Sequence, residues 1–402
     1  MKQIAGLAVL FIGSILSIFI VYTNVDLNTQ EIINYPINSH NTFSTKNAGL
    51  SRMIDFRGSL SSKSRRQKYG LKIMLVGRMR TGSTFIGEIL NQNNDLFYLF
   101  EPLQSIDVQQ RKGLISKSDK TFSGESFKLL RKISMCDFTL PFVQGIAIWP
   151  LARSKSKNVS PICKKTLKCK QADPVLFNKA CKKLGANLAM KFIRSDIEVL
   201  QSLVEDEHQN VKIIHLVRDP RGTANSRRSY YGKKHQKVKG FLPSLNEMGL
   251  LEENPSRRMN TIPKLCKWMR KTLSYAIKQP KWLQGRYKIL RYEDFSVNPL
   301  ETTNKIYEFL GVPLPENVKQ WLINNTNAEN VKKPSTFSTL RNSTYTATSW
   351  RSSLSLKDVL LVQHLCGDVM AELGYIKMYN DSDLQNFSVP VFTSFEFGDF
   401  IL

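Results

Sequence analysis

Eight consecutive residues, Gly77-Arg78-Met79-Arg80-Thr81-Gly82-Ser83-Thr84, gather small, hydroxylated and cationic side chains. Glycines let the backbone turn tightly, and a helix that starts here turns free N–H groups toward an anion. Hydroxyls of Thr81, Ser83 and Thr84 add donors, and Arg78 and Arg80 add positive charge. The spacing matches the Walker loop G-x-x-x-x-G-K-[ST], except that Ser83 stands where the lysine belongs. A nucleoside triphosphatase uses that lysine on the β- and γ-phosphates, with Mg²⁺ held by a Ser/Thr and a downstream acid. No convincing apolar strand ending in such an acid follows. A sulfuryl group carries less charge than a phosphoryl group, so arginine and hydroxyl donors would suffice without a metal. The bland alternative is a strand–turn–helix rich in small residues.

A second anion site is legible at Arg218-Asp219-Pro220-Arg221-Gly222-Thr223-Ala224-Asn225-Ser226. Asp219-Pro220 ends a strand and opens a helix, with proline near the first turn. Arg218 can grip a phosphate with two parallel bonds, and Ser226 can donate one more. A helix cap with surface arginines is the competing reading. Both segments follow strands, and ligands of open parallel sheets bind at that edge. Together they suit a nucleotide with phosphates at both ends of its ribose. Glu101, after the run Phe97-Tyr98-Leu99-Phe100, is the candidate base, against the ordinary role of a carboxylate at a helix start before Pro102. Glu293 and Asp294 are alternatives with the look of a cap. His215 lies inside a strand run and reads as packed. Lys191 and Arg194 face either an anionic ligand or solvent.

The elements that would position these residues are short and regular. Leu71–Val76, Phe97–Phe100, Leu188–Ile193, Val211–Val217 and Tyr287–Arg291 read as buried strands. Helical patterns cover Phe85–Leu90, Leu265–Ile277 and Pro299–Leu310. Strands alternating with helices predict an α/β fold, a P-loop-like central parallel β-sheet flanked by helices. Residues 103–185 hold four of the six cysteines and show no clear period.

Of the 402 residues, 58 are Lys or Arg and 33 Asp or Glu, a net charge of +25 that favours an anionic partner. Ile4 to Tyr22 is uncharged and apolar or small, about enough for one membrane-crossing helix. An uncleaved signal anchor is expected, with residues 1–3 cytosolic and 23–70 a luminal stem. Acceptor triplets at Asn158, Asn324, Asn342, Asn380 and Asn386 agree with a luminal location. So does an even cysteine count (Cys136, Cys163, Cys169, Cys181, Cys266 and Cys366), which predicts disulfides without fixing their pairing. A zinc site at Cys163, Cys169 and Cys181 has the wrong spacing and no nearby histidine. Nucleic acid is excluded as a partner for a luminal domain. Two other classes stay open: a P-loop sugar kinase, and a membrane-anchored glycosaminoglycan-binding protein.

Arg80-Thr81-Gly82-Ser83-Thr84-Phe85 resembles the 5′-phosphosulfate motif of the carbohydrate sulfotransferases, and Arg218 to Ser226 resembles their 3′-phosphate motif. Phe97–Leu103, Arg291-Tyr292-Glu293-Asp294 and Asn342 to Arg351 look like the same family. The nearest kinds are the Golgi galactose, N-acetylgalactosamine and N-acetylglucosamine 6-O-sulfotransferases. The likeness runs from about 71 to 378 and is patchy over 104–185. Thr84 stands for a usual serine and Gly222 for a usual alanine. The resemblance implies a catalytic domain over 71–378, a C-terminal tail over 379–402, and 3′-phosphoadenosine 5′-phosphosulfate (PAPS) as donor with no metal. Arg80, Thr81, Gly82, Ser83, Thr84, Phe85, Arg218, Asp219, Pro220, Arg221 and Ser226 would bind the donor, with Glu101 and Arg80 catalytic. It further implies a glycan or glycosaminoglycan acceptor and a type II Golgi membrane location. Oligomeric state stays open, a homodimer included.

Overall fold

A computed structural model describes residues 69–235, 242–253, 260–326, 343–395 and 397–402. The expected anchor at 4–22, nearly all of the stem, and Asn342 lie outside the described residues. Among those described, no helix is long and apolar enough to cross a membrane.

Among the described residues, five parallel strands form one sheet: β1 (Leu71–Val76), β2 (Phe97–Phe100), β3 (Leu188–Phe192), β4 (Asn210–Val217) and β5 (Tyr287–Arg291). Their spatial order is β2-β3-β1-β4-β5. β1 pairs with β3 and β4, setting Val76 against Phe192 and His215, so the strands end nearly level. Side chains alternate between two cores, as the pleat requires. Met74 and Val76 face one core while Ile73 and Leu75 face the other. Being covered on both faces, the strands are near-continuous apolar runs.

Helix α1 (Ser83–Gln92) follows β1. Six helices lie between β2 and β3: α2 (Gln104–Arg111), α3 (Asp119–Ser134), α4 (Leu140–Ile148), α5 (Pro150–Ser154), α6 (Val159–Lys165) and α7 (Pro174–Lys183). Next come α8 (Gln201–Glu205), then α9 (Pro220–His235) and α10 (Ile262–Lys278) after β4. After β5 lie α11 (Tyr292–Val297), α12 (Pro299–Leu310), α13 (Glu316–Thr326), α14 (Ser343–Thr348), α15 (Leu356–Glu372) and α16 (Asp381–Gln385).

The α2–α7 insertion covers the open edge of the sheet. β2 is an edge strand, whose outer N–H groups would otherwise lack partners. Ser156 Oγ accepts from the Phe100 N–H and Asn158 Oδ1 from the Tyr98 N–H, both at 3.1 Å. The expected acceptor Asn158 is thus half-buried and engaged at the sheet edge, whereas Asn324, Asn380 and Asn386 are exposed. Phe138 packs against Phe97, Phe142 and Phe177, joining the insertion to the core.

Disulfides join Cys136 to Cys181, Cys163 to Cys169 and Cys266 to Cys366. No thiolate of the three cysteines weighed for zinc is therefore free to ligate.

The boundary expected at 378 falls inside the folded unit. Arg351 is buried and donates to the carbonyls of Asp383, Leu384, Asn386 and Val389. Arg221 and Arg291 donate to the carbonyls of Val391 and Thr393. Ile401 bridges to Ile289 in β5, and the Leu402 N–H donates to the Ile289 carbonyl at 3.1 Å. Residues 379–402 are thus part of the domain rather than a tail outside it. All three buried arginines place guanidinium donors on carbonyls of this segment.

Candidate active site

A pocket of about 370 Å³ opens over the carboxyl ends of β1, β2, β3 and β4. The loop after β1, the residue after β2, the end of β3 and the residue after β4 all contribute to its wall. This is the edge at which ligands of parallel sheets bind.

Gly82 heads α1 with φ 98°, a left-handed conformation that glycine adopts freely. A Cβ here would also stand 2.4 Å from the Tyr292 ring, so both conformation and space demand glycine. Arg80 has φ 73°, which costs a residue with a side chain on the order of 1–3 kcal/mol. The bend points Arg80 across the pocket, where its Nε donates to Ser226 Oγ at 2.9 Å. Ser226 accepts that bond and keeps its own proton to donate. Arg218 donates to the carbonyls of Arg80, at 3.1 Å, and Thr346, at 2.9 Å. Its guanidinium lies 4.6 Å from the Tyr292 ring centroid, and its Nε is buried without a hydrogen-bond partner. An orphaned cationic donor beside a helix N-terminus fits an anionic group. Gly222 leaves Arg218 room, since a Cβ there would come within 3.3 Å of its Nε.

Glu101 follows β2 with φ 51°, the second strained residue of the site. It is buried, and Lys191 Nζ donates to its carboxylate at 2.5 Å. Arg194 donates to its other oxygen. Burial alone would raise the acid, but Lys191 and Arg194 outweigh it and hold Glu101 below the ordinary carboxylate range. It is therefore ionised, the form a proton acceptor needs. Lys191 and Arg194, left between ligand and solvent by the sequence, both line the pocket.

Arg80, Gly82, Ser83, Thr84, Phe85, Glu101, Arg218 and Ser226 meet at this pocket. Four residues expected to bind ligand directly do not line it. Thr81 is buried and bonds the Arg78 carbonyl, tying the loop to itself. Pro220 starts α9. Asp219 and Arg221 form a buried ion pair at 2.7 Å, and Arg221 lies 4.2 Å from the Trp350 ring centroid while donating to Gln363 and the Ile376 carbonyl. This pair holds up the loop that carries Arg218. Arg78 also faces away, onto Asp196 at 2.5 Å.

His215 is packed, bonded to the Tyr287 hydroxyl at 2.6 Å and depressed by burial to about 3. Asp294 pairs with Arg291. Glu293 is buried, accepts from the Asp219 N–H and the Tyr375 hydroxyl, and is raised by burial, then by the charge of Asp219, to about 7. Neither acid lines the pocket. Sequence reasoning missed Trp149, Leu151, Tyr230, Thr346 and Ser349, which do. Thr346 and Ser349 lie in the 342–351 stretch already likened to the family, where no role was assigned to them, whereas Trp149, Leu151 and Tyr230 sit in no motif; Trp149-Pro150 offered only a bulky aromatic in a segment without period.

A sulfotransferase domain model matches residues 71–374. Carbohydrate sulfotransferase 1 of Mus musculus is 30% identical over 358 residues, covering 82% of this chain and 85% of that protein. Carbohydrate sulfotransferase 3 of Homo sapiens is 30% identical over 344 residues, covering 79% and 70%. Among solved structures, mouse sulfotransferase SULT7A1 complexed with PAP is 14% identical with a TM-score of 0.40, covering 78% of this chain and 89% of that one.

Proposed function

From a chain that belongs to the sulfotransferase domain family, and is a sulfotransferase of the carbohydrate kind, we propose the following reaction. It moves the sulfuryl group of PAPS onto a sugar hydroxyl of a glycan or glycosaminoglycan, the 6-hydroxyl of galactose, N-acetylgalactosamine or N-acetylglucosamine. The observation that carries this reading is the meeting of two anion loops in one pocket: Arg80 bonded to Ser226, and Arg218 bonded to the Arg80 carbonyl. Loops that far apart in sequence, sharing one cavity, fit a ligand charged at two places.

The N–H groups at the start of α1, with Arg80, Ser83 and Thr84, would hold the 5′-phosphosulfate. Arg218 and Ser226 would hold the 3′-phosphate. The acceptor oxygen attacks sulfur in line as the bond from sulfur to the 5′-phosphate oxygen breaks. The leaving phosphate keeps that electron pair, and Glu101 takes the hydroxyl proton. Positioning and charge stabilisation supply the catalysis, with Arg80 facing the developing negative charge. The 19-residue apolar run and the acceptor triplets support a type II Golgi membrane enzyme with a luminal domain.

The luminal chain should be retained by immobilised adenosine 3′,5′-bisphosphate and not released by ATP. It should transfer labelled sulfate from PAPS to desulfated polysaccharides. Arg80→Ala and Arg218→Ala should each lower kcat/KM by about 10²–10³-fold while the protein is still secreted folded. Full activity in both would end the assignment; ATP-dependent phosphorylation of sugar would turn it toward a kinase.

A further inference from the structure

The pocket has a wall that the anion loops do not make. Trp149 and Leu151 come from the α4–α5 joint in the insertion, far from either loop in sequence. Trp149 caps α5, and Pro150 behind it forbids one continuous helix. The indole is only half-buried. Its centroid lies 5.5 Å from the Phe100 ring, and the Arg194 guanidinium carbon lies 5.7 Å from it. Phe100 precedes Glu101, and Arg194 bonds the Glu101 carboxylate. The indole thus packs near two neighbours of Glu101 and shares the pocket wall with it.

Its placement is built rather than incidental. α4 approaches α2 so closely that a Cβ on Gly145 would stand 2.8 Å from Ser105 Cβ. The Cys136–Cys181 disulfide closes the chain around α4 and α5. Ser156, just after α5, is fixed to the Phe100 N–H.

A large aromatic surface left open in a pocket among charged groups is matched to a ligand with an apolar face and a polar rim. A pyranose ring has that form: C–H groups on its faces, hydroxyls around its edge. A phosphate or a purine phosphate end needs the cationic loops instead. We propose that Trp149, flanked by Leu151 and Arg194, is the platform on which the acceptor pyranose stacks, turning its reactive hydroxyl toward Glu101. The insertion then selects the acceptor, while the sheet edge holds the donor. This assignment rests on the sulfuryl-transfer reading above.

The test uses the luminal protein with desulfated keratan sulfate and desulfated chondroitin as acceptors. Binding of adenosine 3′,5′-bisphosphate serves as an independent readout of the donor side. Trp149→Leu keeps bulk but removes the flat ring and should raise acceptor KM about tenfold or more. The bisphosphate Kd should move less than twofold, and Trp149→Phe should regain most of the loss. Acceptor KM unchanged in Trp149→Leu would overturn the platform. So would a bisphosphate Kd that weakens in step with acceptor KM, or a Phe variant no better than Leu. An unmutated protein that binds bisphosphate but sulfates neither polysaccharide would overturn both readings; an unmutated protein that sulfates either one, with variants that miss the pattern above, sinks this one alone.

Discussion

Two halves of the pocket are made by different means. The sheet-edge half comes from strand–turn–helix units whose geometry is local: β1, a glycine turn and α1, then β4 and α9. The insertion half comes from six helices of 5 to 16 residues, most too short to persist alone in water. Two disulfides and the Phe97, Phe138, Phe142 and Phe177 cluster hold them. An anion needs N–H groups and cations at set positions, which a turn of backbone supplies. A sugar needs a shaped wall, which only tertiary packing supplies. The contrast teaches that an anion cradle can be fixed by short local motifs, while an aromatic wall has to be packed from segments distant in sequence.

The sharpest blow to that contrast falls where the halves touch. Glu101→Gln should lower kcat by about 10²–10⁴-fold, the range of a lost general base. Donor binding should not weaken, because Lys191 and Arg194 lose their carboxylate and turn free charge on the anion. Stopped-turnover kinetics beside bisphosphate titration would read both; equal losses would make Glu101 a scaffold.

A smaller effect separates the halves. Cys136→Ala with Cys181→Ala removes a cross-link spanning 45 residues, a loss of about 4 kcal/mol on the chain-entropy account. Urea unfolding should show it. In the folded fraction acceptor KM should rise while bisphosphate Kd holds, and a weakened Kd instead would join the two halves into one unit.

The smallest effect belongs to the sheet edge alone. Glu293 titrates near 7 when folded, against about 4.3 in an unfolded chain. Between those values the folded protein keeps a proton that the unfolded chain has lost. Its contribution to stability is therefore full below about pH 4 and lost as pH rises through 7; the part lost between pH 5 and pH 8 is about 3 kcal/mol. Glu293→Gln should flatten that slope in unfolding curves at pH 5 and pH 8. An unchanged slope would assign the pH dependence elsewhere.

Legibility followed the same division. β1, β2, β5 and α12 coincide with their expected spans, because buried parallel strands are apolar runs and Pro299 and Gly311 punctuate α12. The insertion was unreadable because its helices are fixed by partners distant in sequence. Within the site, Arg80 and Arg218 were distinguishable as motif residues, yet Arg221 looked the same. Nothing local says that its guanidinium is spent on Asp219 and on carbonyls some 150 residues downstream. Trp149 carries no periodic signal at all.

The strand order has a consequence for biogenesis. β1 and β2 are made first but are not neighbours; each pairs with β3, which begins at Leu188, after the whole insertion has been synthesised. Until then two apolar ribbons wait without a mate, and the nascent polypeptide is exposed to misassociation. Closing Cys136 onto Cys181 shortens the span that β3 must cross to meet them, so yield should depend on how promptly the folding compartment oxidises that pair.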